Sequence, residues 1–442
     1  MADPGAFPAS GRISARMLAA IRARPLARAA LWILALLYTL AIFAPFLAGD
    51  RPLYVHGEGR SPVLEALSPI EIVLMVLWLA ALLAPLLRRA IRRGPSGGAL
   101  VGLAVASALA AALALGAEGA PFATSDWKDR IASGEIQSGA AVFPPIRMGF
   151  AETNLAEAYR PPTWLASSEI SEEGAYVRGS RVPQADPVTH LVPEPSPVEV
   201  RPFEPARNSP WRHPLGTDGL GRDLLVRLLY GARTSLSVGL LSAAALFAIG
   251  VLVGALAGWF RGPVDLLLSR GIEVVLCFPA FFLVLFVLSA ADPDTLPPVL
   301  SIALVIALVG WPSVARLVRA EFLRLREADF VLAARALGCS PARAILAHVL
   351  PNAIGPALVA ASFAVGAGAL VEAALSYLGL GVQSPIPSWG ALVNESHAPS
   401  HWWLQLFPGL AILVSVVCYN LVGEALREAL DPRLLDRAEV RR

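Results

Sequence analysis

The chain predicts an all-α membrane protein, a polytopic helical bundle of about eight transmembrane helices with an irregular extracytoplasmic segment. Three observations carry this. Of 442 residues, 56% are hydrophobic and 16% charged, and mean hydropathy is positive, whereas charged residues make up about a quarter of an ordinary soluble domain. A helix needs about 20 mostly apolar residues to cross a bilayer, and such runs fall at about 29–49, 67–87, 98–117, 235–259, 269–290, 298–318, 356–378 and 404–424. The arginines, finally, lie at the ends of these runs rather than within them.

The first run follows Arg12, Arg16, Arg22, Arg24 and Arg28, as a signal peptide would. Its length, and the lack of a small-residue cleavage site after Pro45, read as a retained span. Arg88, Arg89, Arg92 and Arg93 crowd the short loop between the second and third runs, which places that loop and the N-terminus in the cytoplasm. Alternation then puts residues of about 118–233 outside. That stretch is rich in proline and mixed charge, with clusters such as Pro161-Pro162 and Pro193-Glu194-Pro195, so it reads as loops with a few strands. Phe143-Pro144-Pro145-Ile146, Trp164 and Trp211 supply apolar anchors within it.

In the later runs, small residues around Ser235 and Ser242 read as helix-packing positions. Pro279 and Pro312 fall inside the fifth and sixth runs and predict kinks, which a pore-forming helix tolerates beside a cavity. Asp265, Arg270 and Glu273 read as a solvated juxtamembrane face. Glu372 is the main ionisable residue within a span; it lines a path, hydrogen-bonds a neighbouring helix, or reaches interfacial water.

Between the sixth and seventh runs lies a polar, doubly capped stretch. Asp329 is suited to accept from the free N–H groups of a helix starting at Phe330, and Gly338 to take the left-handed position that ends it. Ser340 then caps a second helix with Pro341 at its first position.

Nothing here composes a catalyst. The six histidines lie outside the predicted spans, no Gly-x-x-x-x-Gly-Lys-Ser/Thr phosphate loop is present, and Cys277, Cys339 and Cys418 have neither CxxC nor metal-ligand spacing and read as small buried hydrophobes. A net charge of +2 implies no nucleic-acid partner.

The spacing of Ala333-Ala334, Arg335, Gly338 and Leu350-Pro351 resembles the EAA loop of binding-protein-dependent ABC importers, whose coupling helix docks on the ATP-hydrolysing subunit. Leu332 stands where that loop's glutamate is usual and His348 where isoleucine is; Arg-Ala-Leu-Gly and His-x-Leu-Pro-Asn are similar to the dipeptide/oligopeptide (peptide/nickel) branch. Three more segments resemble that branch in the same order: His213 to Asp223 with Leu229 to Leu236, Glu372 to Gly381 with Pro387 to Gly390, and Trp403 to Gly409 with Asn420 to Arg433.

The resemblance implies an ABC importer type I permease fold and a division of the chain accordingly. Residues 1–28 are a cytoplasmic segment, 29–117 a membrane region of three helices, two of them inserted, and 118–233 the extracytoplasmic segment. Residues 234–427 are the permease core, with the EAA-like loop at about 319–355, and 428–442 a cytoplasmic tail. It also implies a multi-pass inner-membrane subunit, not an enzyme, forming half of a pore for peptides or similar solutes. Its partners are a second homologous permease, ABC ATPase subunits that bind ATP and Mg, a solute-binding protein and the bilayer. Asp329, Ala333, Ala334, Arg335, Gly338, Ser340, Pro341, Leu350 and Pro351 would form the ATPase-coupling surface. A nickel permease shares these motifs, and a secondary transporter or channel is the reading from another class.

Overall fold

A computed structural model describes residues 24–56, 61–68, 71–80, 127, 133, 141–162, 168–171, 174–177, 213–290, 296–395 and 398–430. Its long helices are α1 (Pro25–Ile42), α3 (Leu224–Phe260), α6 (Pro298–Leu325), α8 (Pro341–Tyr377) and α10, whose span with its leading turn is Pro399–Leu430 and whose α-helix is Trp402–Leu430. A bent pair, α4 (Pro263–Cys277) and α5 (Ala280–Ala290), brings the candidate spans among the described residues to six if it counts as one. The second predicted span is represented by α2 (Glu71–Ala80), and the third lies outside the described residues.

The sequence calls for a kink in the fifth span, and the structure breaks it: α4 and α5 meet at 92°. Phe278 is extended (φ −90°, ψ 138°), the conformation that a following proline enforces, and Pro279 therefore stands between two helices rather than inside one. Pro312 is buried within an unbroken α6. Cys277 is exposed at the end of α4, not buried as expected; Cys418 is buried and Cys339 intermediate.

The bundle is built on α3 and α6. Gly250, Gly254 and Gly258 form one stripe of α3, and a Cβ at Gly254 would stand 2.5 Å from the Ala315 carbonyl oxygen and at Gly258 2.5 Å from Phe322 Cβ. Only glycine lets the two backbones approach that closely, which is how helices gain dispersion contact when lipid removes the hydrophobic drive between them. The small residues further up α3 behave likewise: Gly239 and the fully buried Ser242 lie against Ala369 and Gly368 of α8.

Two ends of the bundle follow. One gathers the start of α1, the end of α3, the ends of α6 and α10 and the start of α8, with Arg24 paired to Glu428. The other gathers the end of α1, the start of α3 and the start of α10, where Trp403 Nε1 donates to the Thr217 carbonyl (3.0 Å). On this second end the described part of the proline-rich segment folds onto the core. β1 (Tyr54–Val55) pairs antiparallel with β2 (Ala141–Val142), and Ile146 and Phe150 pack with Ala44, Ala48 and Tyr230. A hairpin of β3 (Ser168–Ser171) and β4 (Gly174–Val177) is also present. Trp164 and Trp211 lie outside the described residues.

Candidate functional site

At the first end, α7 (Asp329–Ala336) crosses between α6 and α8. Its start differs from the sequence expectation. Ala328 holds the cap position in extended geometry and its carbonyl accepts from Val331 (2.9 Å) and Leu332 (3.1 Å), so Asp329 is the first helical residue and makes no side-chain cap bond. Its carboxylate still sits in the first turn, where the helix dipole favours a negative charge.

The helix ends as the sequence predicts. Gly338 has φ +82°, its N–H donates to the Arg335 carbonyl (3.0 Å), and the Cys339 N–H donates to Ala334 (3.0 Å), the paired bonds of a Schellman cap. Ser340 holds the next cap position without a side-chain cap bond; its backbone carbonyl accepts from Ala344 (2.9 Å), and Pro341 opens α8. The second helix is not a short one. It continues through a π-helical turn at Ala344–Val349 into the span that ends at Tyr377. The wider turn precedes Pro351, whose ring would otherwise collide with the carbonyl one turn back, so the π spacing carries the helix past it.

Two adjacent side chains anchor α7, the partly buried Phe330 and Val331. Val331 is fully buried among Phe322, Leu325, Ile345 and Val349, which belong to α6 and α8. The rest of the surface faces outward: Leu332, Ala333, Arg335, Leu337, Gly338, Ser340 and Pro341 are exposed, Leu337 at 89%, while Ala334, Leu350 and Pro351 are partly covered. Leu332, at the position of the usual glutamate, adds an apolar contact to this face.

Ion pairs that the sequence reading missed brace this end. Asp265 of α4 is not part of a solvated face; Arg319 of α6 grips it through Nε and Nη2 (2.5 and 2.8 Å), while Arg270 and Glu273 do pair on the surface. Arg326 donates to the Trp259 carbonyl, and Arg261 pairs with Glu327 (2.6 Å). The only signal in sequence was charge placed near helix ends, which does not reveal partners far apart along the chain.

At the other end, Glu372 of α8 is fully buried and so does not reach interfacial water. Its Oε1 accepts from Ser376 (2.7 Å) one turn on. The adjoining short helix α9 (Trp389–Asn394) is clamped beside it: the Trp389 N–H donates to Ser235 of α3 (3.1 Å), Ser388 caps α9 by accepting from Ala391 (3.2 Å), and Gly390 lies against the backbone of Ala373. Glu372 thus sits where three elements meet.

Below it, the residues preceding α3 form a buried polar network. His213 bridges Asp223 (2.8 Å) and Glu157 (3.1 Å). Burial pushes the His213 imidazole down, but its hydrogen bonds and the charges of Asp223 and Glu157 outweigh burial and hold it above the usual histidine value. Asp218 accepts from Arg222 (2.7 Å) and Arg227 (2.5 Å), and both arginines also reach Glu395. Burial raises the Asp218 carboxyl, yet Arg227 and Arg222 prevail and hold it below the usual carboxylate range.

Comparison with known proteins assigns this helical bundle to a family. Residues 250–436 match the family described as binding-protein-dependent transport system inner membrane component. The chain is 38% identical over 239 residues to the dipeptide transport system permease protein DppC of Alkalihalophilus pseudofirmus, an alignment covering 54% of this chain and 77% of that protein. It is 42% identical over 224 residues to a putative peptide transport system permease protein of Brucella suis (50% and 74%). It is 38% identical over 223 residues to the oligopeptide transport system permease protein OppC of Haemophilus influenzae (50% and 70%). The chain belongs to the family of binding-protein-dependent transport system inner membrane components, and it is a multi-pass permease subunit of an ABC importer with the type I permease fold.

Proposed function

We propose that this permease subunit forms half of a peptide-conducting pore with a second, homologous permease and is driven by ABC ATPase subunits that dock on α7. ATP and Mg bind those partners, and a solute-binding protein delivers the peptide from the outer face. The carrying observation is the outward face of α7, where Leu332, Ala333, Arg335 and Leu337 are exposed while buried Val331 and partly buried Phe330 tie the helix to α6 and α8. An exposed apolar and basic ridge of this kind offers little as a lipid contact at a helix junction and much as a protein contact. The peptide reading rests on the named relatives. The arginines of the sequence support cytoplasmic N- and C-termini and the same side for α7.

In this reading residues 234–427 are the translocating core, with Asp329, Ala333, Ala334, Arg335, Gly338, Ser340, Pro341, Leu350 and Pro351 as the coupling surface. Pro279, Pro312 and Glu372 shape helix packing along the pore. Cysteine at Leu337, in a chain free of its native cysteines, should cross-link to a co-expressed ATPase subunit, and peptide uptake should disappear when that ATPase is omitted. Uptake that persists without any ATPase, driven by an ion gradient, would overturn the proposal; uptake of nickel in place of peptide would overturn its substrate. Cysteines at Ser96 and Ser138 test orientation with an impermeant thiol reagent, Ser96 protected and Ser138 reactive.

A further inference from the structure

A cavity of about 190 Å³ opens between α1, α2, α3 and the first turn of α6. Its walls are mostly apolar, among them Ile42, Leu74, Met75, Leu236 and Val299, and Arg233 and Glu71 stand at one side of it. Those two are ion-paired to each other, with side chains only 13% and 20% exposed. The pair leaves something over. Arg233 Nη1 is buried and has no hydrogen-bond partner among the described residues, and the same holds for the Thr234 hydroxyl beside it.

The position along α3 defines the surroundings. From Thr234 to Phe260 the helix carries no charged residue, so Arg233 is the last charge before the apolar run. Glu71 likewise begins α2, whose remaining residues, Ile72–Ala80, are uncharged. Both charges therefore stand at the level where hydrocarbon gives way to headgroups. α2 is fixed there by Ile72 and Met75 against Ile42, Phe43 and Phe46, and by Trp78 Nε1 donating to Thr39 (3.0 Å). Leu74 and Leu77 of α2 are exposed, at 53% and 50%, and continue the apolar wall away from the charges.

We propose that this cavity is a binding site for a membrane phospholipid. The phosphate sits on Arg233 and Thr234 after a small rotation of the guanidinium, and the acyl chains run along the apolar wall over Leu74 and Leu77. A guanidinium is suited to phosphate because it offers several N–H donors in one plane, and one of them is left uncommitted by Glu71. Burying a donor without an acceptor is costly, and a phosphate oxygen supplies the acceptor while the apolar wall accounts for the rest of the amphiphile. The site would give α2 a function: it closes the fourth side of a lipid seat beside the core. The inference rests on the membrane-protein reading but not on the peptide or ATPase assignments.

The test is native mass spectrometry of the full chain purified in mild detergent, beside the variants Arg233→Gln and Ser237→Phe. The second fills the cavity from α3 and leaves the charges intact, so it decides the matter if the first does not fold. Wild-type chain should retain phospholipid; Arg233→Gln should retain it roughly tenfold less or worse, the weight of one charge-assisted hydrogen bond, and Ser237→Phe should exclude it by volume. Equal retention by wild type and Ser237→Phe would overturn the proposal. Short-chain phospholipid should also raise the melting temperature of delipidated wild type; inorganic phosphate giving the same rise would show an anion site without a lipid and would equally overturn it.

Discussion

Gly338 is the residue on which the geometry of the proposed coupling surface turns, and the structure separates two reasons for its being glycine. A Cβ built there meets nothing within 4 Å, so volume is not the constraint. Conformation is: φ is +82°, a region that costs an L-residue about 1–2 kcal/mol, least for asparagine and most for a β-branched side chain. A strain of about 1–3 kcal/mol at this position competes directly with the two backbone bonds that close the helix, from Gly338 to Arg335 and from Cys339 to Ala334. Losing them shifts the population of the formed turn by roughly fivefold to a hundredfold. Uptake and ATPase coupling should therefore fall in the order Gly338→Asn, Gly338→Ala, Gly338→Val, with membrane abundance unchanged. The assay is transport by reconstituted complex normalised to inserted protein. Wild-type rates in Gly338→Val, or an asparagine variant as poor as the valine variant, would refute the argument from left-handed geometry.

Other expectations follow from the same contacts. Gly254→Leu should destabilise the bundle by about 1–3 kcal/mol through overpacking, read as a lower melting temperature in detergent, because the Ala315 carbonyl lies where the new side chain must go. Asp265→Asn and Arg319→Gln should each slow coupling, and the double variant should cost less than their sum, since the two share one interaction. His213 has a raised pKa, so its contribution to stability is fully present below the ordinary value of 6.5 and is lost as pH rises through the higher folded value. Asp223, Glu157 and, through Glu157, Arg160 are the charges around it. A melting curve of wild type should accordingly decline with rising pH more than that of His213→Gln; parallel curves would mean that the imidazole does not change charge there.

Much of the bundle was legible because bilayer spans are written in composition: runs of uncharged residues of spanning length exist for few other reasons. The left-handed glycine at 338 was legible because one residue type suits one backbone region, and Pro341 because a missing N–H fits a first helical turn. Side-chain capping by Asp329 and Ser340 was not: the helix begins one residue earlier than the cap reading needs, with Ala328 in the cap position, and Ser340 holds its cap position by backbone geometry alone. The break at Pro279 differs from the predicted kink because the extended residue before it had nothing to return it to the helical axis. Long-range partners, such as Arg319 with Asp265 and Glu372 with its serine-lined corner, were invisible to a reading that sees only neighbours along the chain.

The position of Val331 decides how a push on α7 is distributed. It is the fully buried residue of that helix, and it lies in one apolar cluster with Phe322 and Leu325 of α6 and with Ile345 and Val349 of α8. A close-packed cluster transmits displacement rather than absorbing it. Phe322 in turn abuts Gly258, so α3 moves with α6 through the glycine stripe, and Arg326 on Trp259 and Arg261 with Glu327 tie the same two ends. Force on α7 therefore reaches α3 and α6 as one unit and α8 as another. The π turn at Ala344–Val349 and Pro351 lie on the α8 branch alone, at the cluster's own α8 wall. Bending between the two units should concentrate there, where an extra residue per turn already loosens the hydrogen-bond ladder. Deleting Ala347 would turn the wide π turn into regular α-helix and leave everything beyond it nearly in phase, because a π turn holds about one residue more than an α turn; only the loosened ladder is removed. Coupling should be lost even where the bundle still assembles, and a deletion that kept wild-type uptake would show that the bend lies elsewhere.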